Sequence, residues 1–137
     1  MIPPRSPYSL IQEDLWPSEF KILVVCMLLN CTTRRAVEKV LPKLFQRYPD
    51  AHAFATADFT ELSQLISSLG FGNRRAKNLI SMSKTYVKGN WKHAKELPGI
   101  GAYASAAWEI FVKQVLPKEC PKDHALQYYY NWRMKHG

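Results

Sequence analysis

Apolar residues recur along this chain at three- and four-residue intervals, with no sustained apolar/polar alternation. That period belongs to helices packed on a core rather than to half-buried strands. Residues 19 to about 30 are apolar nearly all round, through Phe20 and an unbroken run from Ile22 to Leu29. Such a helix belongs at the centre of a domain, and Ser18 stands where its N-cap should be. A second helix, capped by Thr32 or Thr33, runs to Tyr48 with Val37, Val40, Leu41, Leu44 and Phe45 on one face. Pro42 inside it predicts a kink or a split, because proline removes a backbone donor and crowds the preceding turn. Asp58, with Glu61 three residues on, makes a variant capping box for a helix through Ser68, and Gly70 supplies the stop. The next helix spans Asn73 or Arg74 to Lys88 and ends at Gly89. A short turn over 92–96, a helix over 102–116 and a last helix over 124–134, with Asp123 as its N-cap, complete the pattern. Residues 1–7 hold three prolines and predict extended chain. No solenoid repeat or low-complexity linker divides the 137 residues, so the expectation is one all-α domain over 1–137.

Composition adds a partner class to this outline. Hydrophobic residues make up 47%, too many for a disordered chain. Lys and Arg number 19 against 11 Asp and Glu, a formal charge of +8. Such a surplus suits a polyanion, whose condensed counterions basic side chains displace. An anionic membrane is the competing polyanion, but no segment pairs a strongly basic face with a broad apolar one. The longest apolar run is eight residues, where a membrane span needs about 20. No secretory signal opens the sequence. Cys26, Cys31 and Cys120 form no C-x-x-C pair, and their odd number predicts reduced thiols in an intracellular compartment.

The chemistry concentrates at Leu97-Pro98-Gly99-Ile100-Gly101. A turn with glycines at both ends of Gly-Ile-Gly, leading into a helix from Ala102, has the form of a helix-hairpin-helix, here over about 92–116. Glycines allow a phosphate to approach the backbone, and the free N–H groups at the start of the following helix point at the anion. The plainer reading is an ordinary interhelical turn; the full five-residue motif in a +8 helical chain favours phosphate binding. Such contacts hold the nucleic-acid backbone without reading its sequence.

Leu97 to Gly101, the helix that follows, and Asp123 at 22 residues beyond Gly101 together resemble the helix-hairpin-helix DNA glycosylases, the endonuclease III superfamily. The segments around Pro3-Pro4-Arg5-Ser6-Pro7-Tyr8, Leu10-Ile11-Gln12-Glu13, Leu28-Leu29-Asn30, Ser68-Leu69-Gly70 and Pro121-Lys122-Asp123-His124 are similar to one branch of it. That branch joins a methyl-CpG-binding domain to a thymine glycosylase acting on G·T and G·U mismatches. The methyl-CpG-binding domain itself has no counterpart in this sequence. The resemblance implies a nuclear, monomeric base-excision enzyme that binds double-stranded DNA carrying those mismatches.

Asp123 is then the expected catalytic residue. Glycosidic cleavage of a flipped nucleotide builds positive charge on the deoxyribose. A carboxylate beside C1′ stabilises that charge and orients the attacking water. Capping a helix is the alternative role for Asp123, and the two are compatible. Tyr103 stands where bifunctional relatives carry a lysine that attacks the sugar, so the resemblance implies a monofunctional hydrolase with Tyr103 lining the base pocket. Gln12, with Ile11 beside it, matches the glutamine that bonds the flipped pyrimidine. Phe71 matches the wedge that fills the vacated stack, typically a leucine in the family. Asn30-Cys31-Thr32 departs from the pattern, since relatives place a basic residue at Cys31, and Arg34 and Arg35 are the candidates to compensate. Arg74, Arg75 and Lys77 lie beside the Phe71 loop and are assigned to DNA with the hairpin residues Leu97, Gly99, Ile100 and Gly101. Lys84, Lys88 and Lys92 stay open between DNA and solvent, and Glu109 reads as solvated or salt-bridged. The iron–sulfur cluster of many superfamily members needs cysteines beyond the catalytic aspartate, and none follows Asp123, so no cluster and no other cofactor or metal is expected. The competing class is a helix-hairpin-helix module that binds DNA without chemistry.

Overall fold

Helix α1 (Glu19–Leu29) is the axis of the structure, a computed structural model that describes residues 18–30, 32–113 and 124–136. Around it lie α2 (Arg34–Arg47), α3 (Ala51–Ala55), α4 (Phe59–Leu65), α5 (Gly72–Lys88), α6 (Ala102–Phe111) and α7 (His124–His136). Two 3-10 turns, Ser67–Leu69 and Ala94–Glu96, complete the described elements, and no strand occurs among them. No helix among the described residues is long and apolar enough to cross a membrane.

The all-round apolar character of α1 has a direct cause: it is buried from two sides. Leu23, Val24 and Leu28 join Val37, Leu44, Phe54, Leu62 and Leu79 from α2 to α5 in one cluster. Ile22 and Cys26 face a second cluster with Ala104, Ala107 and Phe111 of α6 and Tyr129 of α7. Each such fully buried large side chain contributes about 1.5–3 kcal/mol. The polar start of α1 is tied in as well. Glu19 accepts from the Tyr86 hydroxyl through Oε1 at 2.8 Å and from Trp108 Nε1–H through Oε2 at 2.9 Å, joining α1, α5 and α6. Burial, with the Glu19 carboxylate alongside, raises the Tyr86 phenol well above the usual tyrosine range.

Ser18, Thr33 and Asp58 cap α1, α2 and α4 as the sequence predicts. Several expectations are corrected. Helix α2 runs through Pro42 without a split, because Val37 and Val40 before the proline and Leu44 after it are buried on one face and hold both halves to the core. The capping box at Asp58 is one-sided. Asp58 accepts from the Glu61 amide, while the Glu61 side chain turns away to pair with Arg47. The helix expected through Ser68 ends at Leu65 and continues as the Ser67–Leu69 turn. Helix α3, capped by Asp50, is unpredicted: five residues are too few to show a period. Helix α6 ends at Phe111 rather than Leu116, and the first arm of the hairpin is only the Ala94–Glu96 turn.

Candidate functional site

Four helices begin with a side-chain cap, from Ser18, Thr33, Asp50 and Asp58. Among the other α-helix starts within the described residues, two have no side-chain cap: α5 after Phe71 and α6 after Gly101. Both of these starts border one cleft of about 600 Å³, whose remaining wall is the C-terminal half of α1 from Cys26 to Asn30. The positive ends of two helix dipoles thus meet at a single concave surface. Gly101 leaves the first-turn amides of α6 without a side-chain acceptor, and a Cβ at Gly101 would meet nothing within 4 Å. This glycine therefore answers to no neighbour among the described residues. Gly99 does: its φ is +78°, and a Cβ there would lie 3.0 Å from Met27 Cε and 3.2 Å from Asn78 Cβ. The first glycine of the motif seats the hairpin on α1 and α5, and the second keeps the backbone bare at the cleft.

The hairpin is braced from behind. Glu96 Oε2 accepts from the backbone amides of His93 at 2.7 Å and Lys92 at 3.0 Å, and these bonds hold its carboxyl below the usual range. His93 Nδ1 in return accepts from the Lys95 amide at 3.1 Å, which places the ring proton on Nε2, 2.8 Å from Glu109 of α6. Leu97 is 2% exposed, so its side chain is core and only its backbone belongs to the motif.

Opposite the hairpin, Gly70 and Phe71 both have positive φ, +81° and +52°. A left-handed backbone is costly for an aromatic residue, and non-glycine residues in this region concentrate at functional sites. The consequence is visible: Phe71 projects from the cleft rim with 73% of its surface exposed. Directly after it, α5 starts flush against α4, since a Cβ on Gly72 would come within 2.9 Å of the Ser63 carbonyl oxygen.

The cleft brings together Asn30, Phe71, Arg74, Arg75, Tyr103 and the hairpin residues Gly99, Ile100 and Gly101. Arg34, Arg35 and Lys77 are exposed but do not line it, and Arg34 Nε donates to Glu38 at 2.7 Å. Arg75, assigned to DNA from its basic neighbours, lines the cleft and donates to the backbone carbonyls of Gly70, Leu28 and Asn30 and to the Thr32 hydroxyl. Ile11, Gln12, Cys31 and Asp123 lie outside the described residues, as do residues 1–7. The helix that Asp123 precedes, α7, is docked by buried Tyr129 on Phe111, with ring centroids 4.7 Å apart. Asn78 and Met27 line the cleft and are absent from the expected set. Asn78 was discoverable: it stands four residues after Arg74, hence on the same helix face.

A bare-backbone hairpin, a projecting aromatic and a basic helix start around one cleft define a class. Residues 24–131 match the HhH-GPD superfamily of base excision DNA repair proteins, and the chain belongs to that family. Among individual proteins, the chain is 37% identical over 131 residues to a methyl-CpG-binding domain protein 4-like protein of Arabidopsis thaliana, covering 96% of this chain and 29% of that protein. It is 37% identical over 93 residues to a thymine-DNA glycosylase of Aeropyrum pernix, covering 62% of this chain and 41% of that protein. A solved thermostable thymine-DNA glycosylase shares the fold, with a TM-score of 0.67 at 23% identity, over 82% of this chain and 52% of that one. The chain therefore spans less than half the length of the two sequence relatives.

Proposed function

We propose that this chain is a monofunctional DNA glycosylase that flips thymine or uracil out of a mismatch with guanine and hydrolyses its glycosidic bond. The observation that carries the reading is Phe71, left-handed and exposed beside a cleft that is bordered by the bare hairpin. An apolar side chain held out at the rim of a basic cleft suits a wedge that fills the hole left by an extruded base. The volume, about 600 Å³, falls within the range of small-ligand pockets. Its uncapped helix starts would take the phosphates flanking the flipped nucleotide.

In this reading Asp123 stabilises the developing charge on the sugar and orients water, while Gln12 and Ile11 meet the pyrimidine. Tyr103, in the first turn of α6 on the cleft wall, closes the pocket where an amine would otherwise form an imine. Water is then the nucleophile, and the product is an intact abasic strand. The names of the relatives, which include thymine and thymine/uracil glycosylases, agree with the choice of base.

The test is base release from duplexes carrying G·T, G·U or a damaged base, read as strand cleavage before and after alkali. Cleavage at G·T and G·U only after alkali, with no borohydride-trapped adduct, is the expected result. Efficient trapping at the rate of base loss would replace the monofunctional assignment with a lyase. Binding without release from any duplex would leave a helix-hairpin-helix binding module.

A further inference from the structure

Arg75 reaches across the cleft floor to a place where the fold has a deficit. Helix α1 ends at Leu29 with no basic residue in its last turn, and Asn30 leaves it in extended rather than left-handed conformation. Its terminal carbonyls thus lack the glycine-type closure that usually satisfies them. The Arg75 guanidinium supplies it from α5. Nη1 donates to the Leu28 carbonyl at 2.9 Å and approaches that of Met27 at 3.5 Å, and Nη2 donates to the Asn30 carbonyl at 3.0 Å and to the Thr32 hydroxyl. Nε turns the other way and donates to the Gly70 carbonyl at 2.9 Å, immediately before Phe71. An arginine has five N–H donors in a fixed fork, and here the fork joins two segments of the cleft rim.

We propose that Arg75 is a positioning residue for base extrusion: it fixes the Phe71 loop to the end of α1 and does so without touching DNA. The proposal rests on the wedge role given to Phe71 above. A wedge works only if the loop behind it resists being pushed back, and the left-handed conformation of Phe71 is unfavourable unless its neighbours impose it. The Nε bond to Gly70 anchors the residue before the wedge. The Nη bonds fasten that anchor to the most deeply buried helix. They also cover carbonyls at the negative end of α1, which would otherwise face an incoming phosphate. Lysine has the charge but not the fork, so it cannot hold both segments at once.

The experiment uses mismatched duplexes with 2-aminopurine beside the G·T pair, whose fluorescence reports extrusion. Wild type, Arg75→Lys, Arg75→Ala, Phe71→Ala and the Arg75→Lys/Phe71→Ala double variant are compared, with thermal unfolding measured for each. Arg75→Lys should slow extrusion about tenfold, within the range of couplings between residues in contact. In the Phe71→Ala background the same substitution should have no further effect. The salt dependence of binding should keep its slope in Arg75→Ala, whereas loss of a phosphate contact lowers it by about 1. Independent, multiplying losses from the two sites would overturn the proposal, and so would a shallower salt slope. If Arg75→Ala does not fold, the lysine cycle decides alone. Because the readout is extrusion, a wild-type protein that flips the base without releasing it sinks the glycosylase reading and leaves this test standing.

Discussion

The helix starts on the two sides of this molecule are finished differently. Away from the cleft, Ser18, Thr33, Asp50 and Asp58 each accept a bond from a first-turn amide, so α1 to α4 satisfy their own exposed donors. At the cleft, α5 and α6 start from an aromatic residue and a glycine, neither of which offers a side-chain acceptor to the first-turn amides. A capping side chain would stabilise the 17-residue α5 by about 1 kcal/mol and the 10-residue α6, which starts from glycine, by a few tenths. Their bare starts are where the fold's own bonding stops and an external anion can complete it. The contrast separates residues that build the scaffold from residues that serve the cleft.

The largest expected effect divides binding from chemistry. Asp123 directly precedes α7, and asparagine caps a helix about as well as aspartate does. Asp123→Asn should therefore leave folding and mismatch affinity nearly intact. Removal of the carboxylate should slow single-turnover base release by about 10²–10³. A near-wild-type rate would take Asp123 out of the reaction and show that the cleft works without it.

A second substitution inverts the contrast itself. Gly101→Asp should give α6 the cap it lacks, in open space where a Cβ meets nothing. The carboxylate would take the first-turn amides and repel phosphate. Melting temperature should hold or rise slightly, because Gly to Asp at an N-cap is worth a few tenths of a kcal/mol. Duplex affinity should fall about tenfold, in keeping with the loss of a charge-assisted hydrogen bond. Unchanged affinity, measured by titration at fixed salt, would mean that the hairpin does not hold the backbone.

These two sides were not equally legible in the sequence. The scaffold side could be read, because an N-cap and the helix it starts are neighbours in the chain: Ser18, Asp58 and Gly89 mark helix ends that the structure keeps, and Gly70 closes the turn that follows α4. The motif Leu97 to Gly101 was legible for the same local reason. Where tertiary contact decides, local reading failed. Of the kink or split that Pro42 predicts, the split does not occur, because the apolar face of α2 is pinned on both sides. Glu61 is drawn from its own helix start by Arg47, a residue 14 positions away. Arg75 looks like one charge in a basic cluster until the fold brings the end of α1, 45 to 48 residues earlier, within its reach. Phe71 could be matched to a wedge by resemblance, but its projection depends on a backbone conformation that no residue type announces.

The scaffold caps give the converse prediction. Asp58→Ala removes the acceptor for the Glu61 amide, 2.9 Å away on an exposed helix start. Stability should fall by about 1 kcal/mol, lowering the melting temperature by about 4 °C. Duplex affinity should not change, because α4 has no part in the cleft lining. Weaker DNA binding at a temperature where the variant is fully folded would erase the distinction between the two kinds of helix start.

The smallest effect concerns a capped start close to the cleft, the Ala94–Glu96 turn beneath the hairpin. Glu96 accepts two backbone amides, and these bonds lower its carboxyl below the ordinary glutamate value. A group whose folded pKa is depressed contributes stability above its unfolded pKa of about 4.3 and loses it as pH falls through the folded value. Glu96→Gln keeps an acceptor of the same shape but fixes the side chain in a neutral state, as protonation would. Wild type should therefore be the more stable of the two near neutral pH, and the difference should shrink below about pH 4 and vanish once the wild-type carboxyl is protonated. Amide hydrogen exchange at Lys92 and His93 reads the effect at the site itself, since those are the donors that lose their charged partner. A gap between the variants that stays constant down to full protonation would place its origin in packing rather than in the charge-assisted cap, and the hairpin's brace would then be independent of pH.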